Sequence, residues 1–221
     1  AFPQKNYPAL LDSFMKAKMT INNFNGNVLV AKSDKIVFQK SFGYRNYDTK
    51  ELLDSNSVFE LASVTKQFTA LCILQLKEKG LLKLTDTLRK FFPELPYYNI
   101  TITQMLTHTS GLPAYEDAMM ARWDRSKIAF NKDMIQFFAK EQTPVMFKPG
   151  TKWEYSNTAY TLLASIIEKI SGMTYADYLQ KNIFKPLGMT NSRVYNTRRS
   201  LKDVIPNYAY GFVYSDSLQK Y

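Results

Sequence analysis

Leu10, Leu11, Phe14, Met15 and Met19 recur at helical spacing, so 8–21 is predicted to be an amphipathic helix. After it, Gly26-Asn27-Val28-Leu29-Val30-Ala31, the turn pair Ser33-Asp34 and Ile36-Val37-Phe38 read as strand, turn and strand, running to about Tyr44. The segment from Ser63 to Lys79 collects Phe68, Leu71, Cys72 and Leu76 mostly on one face, and Gly80 ends it. From Leu81 to Phe147 short helices and loops are expected. Leu84-Thr85-Asp86 reads as a helix entry, Pro93 and Pro96 as breaks, and 102–106 and 134–138 as helical runs. The strongest stripe follows. Leu162, Leu163, Ile166, Ile167 and Ile170 share one face of a helix over 160–170, with Gly172 at its end. A last helix spans 175–184 and stops at Pro186-Leu187-Gly188, while 207–214 alternates aromatic and small residues and is expected to be extended. No repeat or low-complexity tract interrupts the pattern.

Composition narrows the classes. With 45% hydrophobic residues in 221, the chain can bury a substantial core. No apolar run approaches membrane-spanning length, and no charged-then-apolar leader opens the chain, so a signal peptide is expected to be absent from it. Cys72 is the single cysteine, which excludes an internal disulfide and any multi-cysteine zinc site; among Leu71, Ile73 and Leu74 it reads as a small buried hydrophobe. The net charge of +10 is dispersed, with no nucleic-acid module beside it, so no nucleic-acid partner is expected. Such a surface suits anionic polymers or a carboxylate substrate equally.

Ser63-Val64-Thr65-Lys66 carries the first candidate chemistry. A serine hydroxyl attacks only when a base removes its proton, and residues three apart on a helix share a face, so Lys66 is placed to serve Ser63. Free N–H groups at a helix start can also hold a developing oxyanion. The tetrad by itself is weak evidence. With 15 serines and 22 lysines, about one or two matches arise by chance. Three occur, but Ser13–Lys16 lies inside the first helix and Ser217–Lys220 in the tail.

Tyr155-Ser156-Asn157 is the second candidate. It follows Pro149-Gly150 and precedes the strongest helix, unlike Tyr44-Arg45-Asn46 and Tyr97-Tyr98-Asn99. A tyrosine beside a lysine can share its proton, and an asparagine amide can bind a substrate amide and hold the lysine. The plainer reading of Asn157 is a helix cap. His108 is the only histidine, so a Ser-His-Asp triad would have to use it, yet no Gly-x-Ser-x-Gly elbow surrounds a neighbouring serine. It reads as structural, and alone it cannot anchor a metal. Phe147, Trp153 and Tyr115 read equally as aromatic substrate contacts and as core.

Further segments fall in order along the chain: Phe59-Glu60-Leu61-Ala62 before Ser63, Leu84-Thr85-Asp86, 102–112 with His108-Thr109-Ser110-Gly111-Leu112, Pro149-Gly150, Tyr160, and Pro186-Leu187-Gly188-Met189. Together with Ser63–Lys66 and Tyr155–Asn157 they resemble the serine β-lactamase and penicillin-binding-protein superfamily, in particular its class C β-lactamase and D-Ala-D-Ala carboxypeptidase or esterase branch. The resemblance implies an α+β (α/β), β-lactamase/transpeptidase-like fold. Within it, 1–62 would form a helix and sheet hairpin, 63–200 a mainly helical region with the active site, and 201–221 the start of a truncated sheet segment. It further implies Ser63 as the acylated nucleophile with its N–H as an oxyanion donor, and Lys66 and Tyr155 as proton carriers. Asn157 would contact the substrate amide, and no cofactor or metal is expected. The substrate would be a β-lactam, D-amino-acid peptide, amide or ester, and the location outside the cytoplasm, in the periplasm or cell envelope.

One element of that family's pattern is not found. Its Lys-Thr-Gly or His-x-Gly strand follows the tyrosine motif, whereas the only Lys-x-Gly here, Lys148-Pro149-Gly150, precedes it and its proline has no N–H to donate. The expectation is therefore an N-terminal portion of a longer hydrolase, with a C-terminal companion chain or lost segment completing sheet and site. A non-hydrolytic penicillin-binding sensor, or a cell-wall-binding module of the same fold, is the competing reading.

Overall fold

The computed structural model describes residues 6–124, 126–195, 205–213, 215 and 217. The chain divides into two compact units, one formed by 1–61 with 201–221 and the other by 62–200.

In the first unit, α1 (Tyr7–Asn22) packs on a hairpin of β1 (Gly26–Lys32) and β2 (Lys35–Phe42). Ser33 and Asp34, at φ 48° and 60°, make the left-handed two-residue turn whose twist matches antiparallel strands. Met15 packs with Phe38 and Phe42, and Leu11, Phe24, Val28 and Val30 border them. Leu10 and Phe14, on the same predicted stripe, stay exposed. Two strands are too narrow to cover the whole apolar face of the helix. Among the described residues β1 and β2 pair only with each other, and β3 (Tyr44–Asn46) pairs with β4 (Glu51–Leu52). Among the described residues, the predicted extension at 207–214 forms one parallel bridge, between Val58 and Tyr208, with Tyr210 N–H donating to Arg45 O at 2.9 Å. Tyr214 lies outside the described residues.

In the second unit a 3₁₀ turn (Ala62–Thr65) runs into α2 (Lys66–Glu78). Next come α3 (Leu88–Phe91), α4 (Ile102–Leu106), α5 (Tyr115–Ala118), α6 (Asn131–Glu141), α7 (Asn157–Ser171) and α8 (Tyr175–Leu179), which ends in a π turn (Gln180–Phe184). α7 is the hub. Leu162, Leu163, Ile166 and Ile167 are fully buried against Cys72, Ile73 and Leu76 of α2, Met105 of α4 and Phe138 of α6. Burying four such side chains contributes about 6–12 kcal/mol before entropy is charged. Burial also pushes the Cys72 thiol up to about 12, so it stays protonated and inert.

Several boundaries differ from the sequence reading. The run expected over 134–138 extends to Asn131–Glu141, and the segment expected to be helical from Ser63 opens as a 3₁₀ turn, with α2 starting at Lys66. Asp86 does not begin a helix; its carboxylate accepts the Lys83 N–H at 2.8 Å in a turn, and the helix starts at Leu88. α7 begins three residues before Tyr160, because Ser156 caps it by accepting the Ala159 N–H at 3.1 Å. The expected single helix over 175–184 widens at Gln180, where Asn182 Nδ2 donates to Tyr178 O at 2.9 Å.

Candidate active site

Ser63 sits in the 3₁₀ turn and Lys66 is the first residue of α2. Residues i and i+3 eclipse in a 3₁₀ turn, so the two side chains project together. Lys66 Nζ lies 3.3 Å from Ser63 Oγ. Ser63 is exposed and Lys66 half-buried.

Tyr155 and Asn157 arrive from the loop before α7, which is stitched to the His108–Gly111 turn. Gly150 N–H donates to Thr109 O, and Glu154 N–H to His108 O, each at 2.8 Å. Ser156 N–H donates to His108 Nδ1 at 3.1 Å. The His108 ring lies 4.7 Å from the Tyr155 ring and 5.1 Å from that of Tyr160. Thus held, Tyr155 Oη donates to Ser63 Oγ at 2.6 Å. Lys66 Nζ lies 4.7 Å from the centre of the Tyr155 ring and 5.5 Å from that of Tyr160. Asn157 does not cap α7, since Ser156 does. Its Oδ1 accepts from Lys66 Nζ at 2.7 Å, and its Nδ2 donates to Glu116 Oε1 at 2.6 Å.

The four predicted residues Ser63, Lys66, Tyr155 and Asn157 are therefore in one hydrogen-bonded group. Glu116, which the sequence reading passed over, extends it. It lies on α5, four residues long, where no periodicity could flag it, and its partner is 41 positions away. Ser110 is fully buried, accepting the Leu112 N–H, so it is no second nucleophile beside His108. Lys148-Pro149-Gly150 is a turn buttressing Thr109. Of the aromatic candidates, Trp153 is exposed beside His108, while Phe147 is half-buried and Tyr115 packs on the core.

Electrostatics sort the roles. The hydrogen bond with Lys66 lowers the Tyr155 pKa, helped by the Ser63 hydroxyl and opposed by partial burial and the Glu116 charge. Tyr160 moves the opposite way, raised first by burial and then by Tyr155, while its Oη donates to Leu106 O at 3.0 Å. It is a support. His108 is pushed below its ordinary 6.5 by burial first and by Lys66 second. The unfolded chain thus binds the His108 proton before the folded one does. This contribution to stability is complete above the unfolded pKa and falls as pH drops below about 6.5. Protonation also removes the acceptor that holds Ser156 N–H. Urea midpoints measured from about pH 8 to about pH 5 should show a decline in the wild type that is smaller in His108→Gln. Equal declines would show that His108 does not carry the effect.

Among the described residues no cluster of His, Cys, Asp or Glu is placed to hold a metal, and no helix is long and apolar enough to cross a membrane.

An exposed serine joined to a lysine and a tyrosine, presented at the start of a helix that packs on a central buried helix, defines a serine-hydrolase-like class. The chain belongs to the Beta-lactamase family, whose model matches residues 11–204. It is 47% identical to penicillin-binding protein 4* of Bacillus subtilis (strain 168) over 200 residues, 90% of this chain and 44% of that protein. The octameric penicillin-binding protein homologue from Pyrococcus abyssi superposes with a TM-score of 0.78 at 32% identity, covering 95% of this chain and 48% of that one. The D-amino acid amidase from Ochrobactrum anthropi SV3 gives a TM-score of 0.74 at 26% identity, over 97% and 57% of the two chains. The fold is accordingly β-lactamase-like and α+β, and the chain spans about half the length of these relatives.

Proposed function

We propose that the chain carries the acylating part of a class C β-lactamase-like serine hydrolase. Its substrate would be a β-lactam, D-amino-acid peptide, amide or ester, met in the cell envelope. The observation that carries this reading is the contact of Ser63 Oγ with both Tyr155 Oη and Lys66 Nζ.

Tyr155, acidified by Lys66, takes the Ser63 proton as Oγ bonds to the substrate carbonyl carbon. The carbonyl π electrons move onto its oxygen, and the resulting oxyanion faces the Ser63 N–H at the helix start. Collapse breaks the bond to the amine or alcohol, which leaves with the proton returned through Tyr155 and Lys66. Water then hydrolyses the ester at Ser63 by the reverse proton route. The names of the relatives, a penicillin-binding protein and a D-amino acid amidase, support an acyl substrate of this class.

The test is covalent labelling with a neutral fluorophosphonate and with a penicillin, followed by intact mass and peptide mapping. One adduct on Ser63 is expected. Label on another residue, or no label with either reagent, would refute the assignment. An adduct that forms once and never turns over would move the protein to the sensor reading.

A further inference from the structure

We infer that Glu116 is a positioning residue for the Ser63–Lys66 pair, acting through the side-chain amide of Asn157. The inference rests on the function proposed above and adds a residue to its machinery.

The two ends of an asparagine amide have nearly the same shape and opposite hydrogen-bond character. Asn157 lies between Lys66 Nζ, which only donates, and the Glu116 carboxylate, which when ionised only accepts. One orientation satisfies both neighbours, with Oδ1 to Lys66 and Nδ2 to Glu116. The reverse would face an NH₂ with an ammonium and a carbonyl with a carboxylate. Glu116 thereby selects the orientation that offers Lys66 an acceptor and holds Nζ within 3.3 Å of Ser63 Oγ.

The backbone fixes this contact. Thr158, next to Asn157 and fully buried, donates its hydroxyl to Pro113 O at 2.7 Å and accepts the Tyr115 N–H at 3.0 Å. The start of α5 is thus clamped to the start of α7 one residue from both Glu116 and Asn157. Glu116 itself is exposed and has no ion pair among the described residues, so no salt bridge explains its placement.

Its charge works against Tyr155. Glu116 disfavours the phenolate that Lys66 favours. A purely electrostatic role would therefore predict faster acylation once Glu116 is neutralised, and a positioning role predicts slower acylation. The two differ in sign.

The experiment compares second-order labelling of Ser63 by a neutral fluorophosphonate in the wild type, Glu116→Ala and Glu116→Gln. Losing a hydrogen bond to a charged group should slow Glu116→Ala about 10- to 100-fold, with an unchanged unfolding midpoint. Glu116→Gln, which can still offer a carbonyl to Nδ2, should recover part of the rate. The Asn157 side-chain amide NMR signals should shift in Glu116→Ala and stay in place in Tyr155→Phe. Wild-type or faster labelling in Glu116→Ala overturns the inference. So does a loss seen only with an ammonium-bearing probe, because Glu116 would then read substrate charge. A loss matched by a lower unfolding midpoint assigns Glu116 to the fold and overturns it too. If the wild type takes no label, the function proposed above fails, and the amide signals alone decide whether Glu116 orients Asn157.

Discussion

Ser63→Ala is expected to take no acylating label at all, whereas Tyr155→Phe should take it at the same residue but about 10²–10⁴-fold more slowly. The first removes the attacking oxygen. The second keeps the ring that lies 4.7 Å from His108 and the same distance from Lys66 Nζ, and deletes only the hydroxyl 2.6 Å from Ser63 Oγ. The loop before α7 should therefore survive, so the lost rate measures proton transfer rather than folding. The pH dependence follows from the lowered Tyr155 pKa. A lowered value means the phenolate accumulates at lower pH than a free phenol allows, so wild-type labelling should climb with pH and level off before the ordinary tyrosine range near 10. Tyr155→Phe should lose that climb. Second-order labelling constants against pH for the three proteins decide it. If Tyr155→Phe kept both the rate and the climb, Lys66 alone would be the base. If Ser63→Ala were still labelled, the nucleophile would be a different residue.

What the sequence disclosed depended on the range of the interaction. Ser63 and Lys66 were legible because they are three residues apart and any helical turn brings them together, even a 3₁₀ turn where an α-helix was expected. The α7 stripe was legible because burial repeats with the helical period. The same helix shows the limit. Its first turn holds Asn157 and Thr158, polar residues that apolar periodicity counts as loop, although Thr158 is fully buried by bonds to Pro113 and Tyr115. Tyr155 and Asn157 could be chosen over their decoys only by position between a Pro-Gly turn and that helix. Of the decoys, Tyr97 is buried with its hydroxyl donating to Thr143 O, and Tyr44 lies in a short strand. Glu116 was illegible, since only folding brings it to Asn157. α1 was legible as an amphipathic helix, but whether Leu10 and Phe14 on its stripe are covered depends on how wide a surface lies beneath, which periodicity does not encode.

Gly111→Ala should be among the most destabilising single-methyl additions in the second unit, and should impair labelling from a position outside the reacting group. Gly111 has φ +69°, and a Cβ built on it meets Phe147 O at 2.2 Å. The carbonyl cannot retreat freely. Met146 N–H donates to Gly111 O and Gly150 N–H to Thr109 O, each at 2.8 Å, so the two segments are tied on both sides of the overlap. The left-handed backbone costs about 1–2 kcal/mol for a residue with a Cβ, and relieving the overlap by parting the segments costs about 1–3 kcal/mol more. Parting them also shifts His108 relative to Glu154 and Ser156, the bonds that aim Tyr155 at Ser63. Gly80→Ala is the matched control. Its φ is +70° but nothing lies within 4 Å of the added carbon, so it should lose only the backbone part and label at the wild-type rate. Urea unfolding of both variants, with labelling measured where each is folded, separates conformation from collision. Equal stability losses would mean that Phe147 moves aside at no cost, and the link from this turn to Tyr155 would fall with the clash.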